Sequence, residues 1–190
     1  KIVLYEDECA IKMPRGVMLD FGGVAKGYAL VRLREVLAQR GIKNYLIEAG
    51  GDITARGRRG SRNWHIGIYH PIRKKRMLGR VSLKNASIAT SGSYNNNFVI
   101  QGRHYSHIIN PLTGYPADQS VQATVIAADP ITADALATAC SLLSWQEIPD
   151  IQKRFQISAE CMAVFVRGGA PVIKMTHGFE SLLDQMGASW

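Results

Sequence analysis

The sequence predicts a mixed α+β domain whose strands are mostly antiparallel, with helices packed on the sheet. Three observations carry this expectation. Short β-rich runs bounded by turn residues recur along the chain, as at 64–68, 77–83 and 98–100. Only two segments, 24–40 and 131–144, have the pattern of long helices. Two further pairs of runs flank Gln101-Gly102 and Gly168-Gly169, dipeptides that suit tight hairpin turns.

The elements follow in order. Residues 1–12 read as one strand, on the strength of Lys1-Ile2-Val3-Leu4-Tyr5. Val17-Met18-Leu19-Asp20-Phe21 reads as a second strand that ends at Gly22-Gly23. From 24 to 40 the apolar residues Ala29-Leu30, Leu33 and Val36-Leu37 recur at three and four, which is one face of a helix, and Gly41 suits the stop. Tyr45-Leu46-Ile47 reads as a short buried strand running into Glu48-Ala49-Gly50-Gly51-Asp52. Strands are predicted at 64–68, 77–83 and 87–90, a hairpin at 98–100 with 103–109, and a strand at 121–128. The Ala-rich run 131–144 is a strong helix, and 161–166 with 172–175 form a last hairpin. Long linkers, low-complexity segments and repeats are lacking, so residues 1–190 are read as a single domain.

Bulk composition excludes several classes. The chain is 46% hydrophobic and 20% charged, which describes a globular domain rather than a disordered one. No apolar run approaches the roughly 18 residues of a membrane span. Lys and Arg total 23 against 15 Asp and Glu, a net charge of +8. Much of the excess lies in two runs, Arg56, Arg58, Arg59, Arg62 and Arg73, Lys74, Lys75, Arg76. Two solvated hairpin loops account for them, and attraction to a phosphate-bearing ligand is the alternative. No aromatic residues interleave with these runs and no nucleic-acid motif is present, which argues against a nucleic-acid module. Cys9, Cys140 and Cys161 are odd in number and form no C-x-x-C, so neither a metal cluster nor a disulfide framework is expected. Cys140 and Cys161 sit in apolar runs and read as core.

Four loops carry candidate chemistry. In LDFGGVAKGYA (19–29) a glycine pair leads into a helix whose first turn holds Lys26. Such a start is either an anion site or a plain tight turn. EAGGD (48–52) sets two glycines between two carboxylates, which needs special backbone geometry or a close ligand. In TADALATA (132–139), Asp134 and Thr138 are four apart and share one helix face. Two such oxygens can reach a hard cation such as Mg²⁺; a first-turn Asp with an ordinary Thr is the plainer reading. His107 precedes the turn-rich Asn110-Pro111 and Thr113-Gly114 and has the chemistry of a general base. His104 lies three residues earlier, so in a strand the two would face opposite ways and not share a metal.

In this order the motifs LDFGGVAKGYA, LIEAGGDI (46–53), WHIGIYHP (64–71), IATSGSYNNNF (88–98), YSHIINPLTGYP (105–116) and ADALATA (133–139) resemble the ApbE family of FAD:protein FMN transferases. The resemblance implies an α+β fold related to the T-fold. It implies Mg²⁺-dependent cleavage of the FAD pyrophosphate, release of AMP, and attachment of FMN to a Thr or Ser of an acceptor protein. It assigns the metal to Asp134, Thr138 and the carbonyl of Gly23, and the base to His107. It places Asp20, Gly22, Lys26, Gly50, Gly51, Ser91, Gly92 and Ile108 at the flavin nucleotide. Ser93 offers a further donor, and Tyr94 a ring to stack on or a plain sheet aromatic. Hydrolysis of FAD to FMN and AMP, or flavin binding without turnover, are the alternative activities. The family usually has Asn where Glu48 stands, and a substantial segment ahead of the LD-x-G-G loop, where about 18 residues stand here. By the same resemblance the protein works in the periplasm or at the outer membrane face, any membrane association resting on an anchor in that segment. Oligomerisation is left open.

Overall fold

The computed structural model describes every residue apart from 74, 93–96, 102, 118–119, 168–169 and 187–190, and the backbone alone at 97, 99–100, 103–104, 167 and 185–186. The expectations for Ser93, Tyr94, Lys74, the turn residues Gly102 and Gly168-Gly169, and the facing of His104 therefore lie outside the described residues.

The first expectation is corrected at once. Residues 1–12 are a hairpin, β1 (Val3–Tyr5) against β2 (Ala10–Lys12), not one strand. The acidic run Glu6-Asp7-Glu8 is poor strand material and turns instead, with the Cys9 N–H donating to the Glu6 carbonyl at 3.2 Å. Residues 17–21 form no strand either. Asp20 Oδ1 accepts the N–H of Gly22 at 2.6 Å, a local bond that competes with extended pairing. The first helix, α1 (Ala25–Gln39), is as predicted, and Gly41 follows it at φ 71°.

Next come β3 (Tyr45–Ala49) and β4 (Asp52–Arg56), joined by Gly50 and Gly51 at φ 58° and 94°. Left-handed backbone of this kind is what glycine tolerates. The expectation that 45–47 is buried fails, because β3 is a sheet edge and Leu46 is 37% exposed. The chain continues through β5 (Trp64–Tyr69), β6 (Met77–Leu83), β7 (Ala86–Gly92), β8 (Asn97–Ile100), β9 (Arg103–Ser106) and β10 (Gln122–Ala127). Then follow α2 (Pro130–Cys140), α3 (Glu147–Arg154), β11 (Ala159–Arg167), β12 (Ala170–Met175), α4 (His177–Leu182) and β13 (Leu183–Met186). The predicted strand to 109 ends at Ser106, and the predicted helix to 144 ends at Cys140. Sequence patterns did not announce β4, α3, α4 or β13.

These elements make three layers. A six-stranded antiparallel sheet in the order β12-β11-β10-β7-β4-β3 lies in the middle. On one side sit α1 and α2; on the other, a three-stranded sheet β13-β6-β5. The period-two alternation of strands divides the core accordingly. Ala89, Ala123, Val125, Ala127 and Cys161 face Ala133, Leu136, Ala137 and Cys140 of α2. The alternate residues Ile88, Ile126, Met162 and Val164 face Ile66, Ile68, Val81 and Leu83 of the second sheet. The small side chains on the helix side let α2 lie close to the sheet. Cys140 and Cys161 are each 1% exposed, as their apolar runs predicted.

Asp129 caps α2 by accepting the Thr132 N–H at 2.8 Å, with Pro130 in the first turn. The closest helix approach falls at Gly27 of α1. A Cβ there would stand 2.6 Å from the Pro130 carbonyl oxygen and 2.7 Å from Ile131 Cα. Among the described residues no helix is long and apolar enough to cross a membrane.

Candidate active site

The β3–β4 turn, the start of α1, the Asp134–Thr138 face of α2, the end of β7 and the loop after β9 meet around one cavity of about 800 Å³. Asp20, Gly22, Gly23, Lys26, Gly50, Ser91, Gly92, His107, Ile108, Asp134 and Thr138 all line it. These are all but one of the residues assigned from sequence to the metal, the base and the flavin nucleotide. Gly51 is the exception: it shapes the turn behind the wall, its N–H donating to Glu48 Oε1 at 2.6 Å. Glu48 thus holds the glycine turn and does not line the cavity. Thr90 and Ile109 line the cavity as well and were not anticipated.

Asp134 links the two helices. Its Oδ2 accepts the N–H of Gly27 at 2.9 Å, so a carboxylate from α2 caps the first turn of α1. α1 has no side-chain cap of its own and no acidic residue in its first turn. Thr138, one turn on, donates its hydroxyl to the Asp134 carbonyl at 3.2 Å, which leaves the Oγ1 lone pairs to accept a positive partner. Gly23 abuts this pair: a Cβ there would lie 3.4 Å from Thr138 Cγ2 and 3.5 Å from Oγ1.

Behind the cavity lies Asp52, the first residue of β4, 1% exposed. Lys26 Nζ is 2.9 Å from Asp52 Oδ2 and 3.9 Å from Asp134 Oδ1. Burial pushes the Asp52 carboxyl up to about 6, against the Lys26 ammonium that holds it down. Sequence reasoning treated Asp52 only as the end of a turn. No local pattern marks it for burial; once the sheet buries it, the carboxylate needs a cation beside it, and Lys26 supplies that.

His107 stands on the exposed side of the cavity, just past β9. The loop behind it is stiff. The Ile108 N–H donates to Ser106 Oγ at 3.1 Å, the Ala117 N–H to the Ile108 carbonyl at 2.7 Å, and the Asn110 N–H to the Tyr115 carbonyl at 2.8 Å. Asn110 Oδ1 also accepts the Leu112 N–H at 2.9 Å. Asn110, Pro111 and Gly114 thus close a compact turn that fixes where the histidine emerges.

The donor set at Asp134 and Thr138 fits a hard divalent cation, which takes oxygen ligands and leaves room for water or phosphate. Among the described residues no group of three or more His, Cys, Asp or Glu is gathered, here or elsewhere. For such a cation Asp134 would supply the charge, and Thr138 and the backbone at Gly23 neutral oxygens.

Fold and cavity define the class: an antiparallel α+β domain in which glycine turns, one lysine and one helix face line a single cleft. The chain belongs to the ApbE family, whose sequence pattern matches residues 1–163. It is 32% identical over 169 residues to the FAD:protein FMN transferase of Salmonella typhimurium, covering 87% of this chain and 45% of that protein. It superposes on the ApbE protein of Thermotoga maritima with a TM-score of 0.85 at 33% identity, covering 97% of this chain and 59% of the other. The apo flavinyl transferase ApbE of Pseudomonas stutzeri gives a TM-score of 0.79 at 28% identity, over 97% of this chain and 56% of that one. The chain therefore spans less than half the length of that curated relative.

Proposed function

We propose that this chain transfers FMN from FAD to a Thr or Ser hydroxyl of an acceptor protein and releases AMP, with Mg²⁺ as the cation. One observation carries the reading: residues scattered from Asp20 to Thr138 line a single cavity with both a cation-type and an anion-type wall. Asp134, Thr138 and the Gly23 backbone would hold Mg²⁺, whose chemistry is to neutralise charge on the pyrophosphate. Lys26 faces the phosphates beside the Gly22-Gly23 turn; Ser91, Gly92 and Gly50 border the nucleotide. His107 takes the proton of the acceptor hydroxyl. The hydroxyl oxygen then forms a bond to the FMN phosphorus, the bond from that phosphorus to the bridging oxygen breaks, and AMP carries the electron pair away.

The test is AMP release from FAD and Mg²⁺, with and without a protein carrying an accepting Thr. AMP formed only with the acceptor, together with a fluorescent acceptor band, supports transfer. AMP formed without an acceptor means hydrolysis. FAD binding without AMP means a flavin site without turnover.

A further inference from the structure

We propose that Asp52 is a positioning residue that holds the Lys26 ammonium off Asp134 and so keeps Asp134 Oδ1 open to a divalent cation. The inference rests on reading Asp134 as the carboxylate of the cation site.

The two oxygens of Asp134 have different tasks. Oδ2 is committed to the Gly27 N–H at 2.9 Å. Oδ1 is the oxygen nearer to Lys26, and the ammonium stops 3.9 Å short of it while touching Asp52 Oδ2 at 2.9 Å. A lysine is a strongly hydrated point charge on a flexible stem, and an open carboxylate beside it is a natural resting place. An ammonium seated on Oδ1 would compete directly with a cation there. Coulomb attraction falls with distance, so a nearer carboxylate decides where the ammonium stays.

Asp52 is built to be that nearer carboxylate. It is 1% exposed, it begins a strand inside the sheet, and it is absent from the cavity wall, so it reaches the cavity through its neighbours there, Lys26 first and the Thr90 backbone second. Gly50 assists. A Cβ at that position would come within 3.3 Å of Lys26 Cδ, so the lysine stem lies against bare backbone on its way to Asp52. The pairing leaves one cationic group beside the cavity with its position set, and one carboxylate oxygen without a competitor.

The experiment uses the whole chain and Mn²⁺ alone as the probe, read by electron paramagnetic resonance of free Mn²⁺. Asp52→Asn is expected to weaken Mn²⁺ binding about tenfold, because Lys26 closes onto Asp134. The metal-free crystal structure of that variant should then show Lys26 Nζ at charged hydrogen-bond distance from Asp134 Oδ1, about 2.8 Å. Lys26→Met, which lacks the competing ammonium, should bind Mn²⁺ more tightly than the wild type. Unchanged affinity in Asp52→Asn overturns the proposal. So does weakened affinity with Lys26 still held away from Asp134, which would assign the effect to lost charge. So does weaker binding in Lys26→Met. If the unmodified chain takes up no Mn²⁺, the assignment of the cation to Asp134 falls, and the proposal with it.

Discussion

The Gly27 N–H donates to Asp134 Oδ2 at 2.9 Å, joining the first turn of α1 to α2 across 107 residues of sequence. One carboxylate thereby caps a helix, ties it to a second helix and lines the candidate cation site. Fold and site share this bond, and the first two predictions follow from it.

Gly27→Ala should separate the helices. The added Cβ would meet backbone, the Pro130 carbonyl oxygen at 2.6 Å and Ile131 Cα at 2.7 Å, and backbone yields poorly. Overpacking of this kind costs about 1–3 kcal/mol. A fall in melting temperature of roughly 3–10 °C is expected for a chain of this size, read by circular dichroism.

Asp134→Asn and Asp134→Ala should differ. Asn keeps an oxygen for the Gly27 N–H, so stability stays near the wild type while Mn²⁺ uptake is lost. Ala leaves the buried Gly27 N–H without an acceptor, at about 1–3 kcal/mol in urea unfolding, and loses the cation as well. Equal stability of the two variants would contradict the capping role.

The contribution of Asp52 to the stability of the metal-free protein should fall as pH rises between about 4 and 6. Asp52 is raised from 3.8 to about 6, so across this window the folded state binds the proton that the unfolded state has released. Its contribution is therefore most favourable below the unfolded value and is lost as pH climbs through the folded one. At ~1.4 kcal/mol per pH unit the swing is about 3 kcal/mol. Asp52→Asn should flatten this part of the urea-derived stability profile, and a profile parallel to the wild type would refute the assignment.

His107→Ala should lower FMN transfer by roughly 10²–10⁴-fold, the usual contribution of a general base, with FAD affinity retained. Quenching of flavin fluorescence measures the binding, and the labelled acceptor band measures the transfer. Normal transfer would remove His107 from the reaction.

Glu48→Ala should loosen the glycine turn. It deletes the acceptor for the Gly51 N–H, a charge-assisted bond at 2.6 Å in an exposed loop. A loss of about 1 kcal/mol is expected, with faster amide exchange at Gly51 as the local readout.

Much of this protein is written in local patterns. The three-and-four spacing over Ala29 to Leu37 specifies α1, and Gly41 ends it, because helix periodicity and left-handed backbone are properties of neighbouring residues. Asp134 and Thr138 share a face for the same reason. The glycine turn at Gly50-Gly51 was equally plain. Where local signals conflicted, reading failed. Val17 to Phe21 has strand composition, yet Asp20 turns the chain by bonding to Gly22. The Glu6-Asp7-Glu8 run broke the first strand into a hairpin. Tyr45 to Ile47 looked buried because apolar residues say nothing about whether a strand lies at an edge.

The residue types of the site, their order and the elements that bear them were thus decided by the sequence, since each depends on interactions within a few residues. Tertiary packing decided the rest. That Asp52 is buried, that Lys26 turns to it rather than to Asp134, and that Gly27 must lack a side chain all depend on distances between segments remote in the chain. Burial and charge pairing act through space, and the three layers of this fold set which charges meet and which are kept apart.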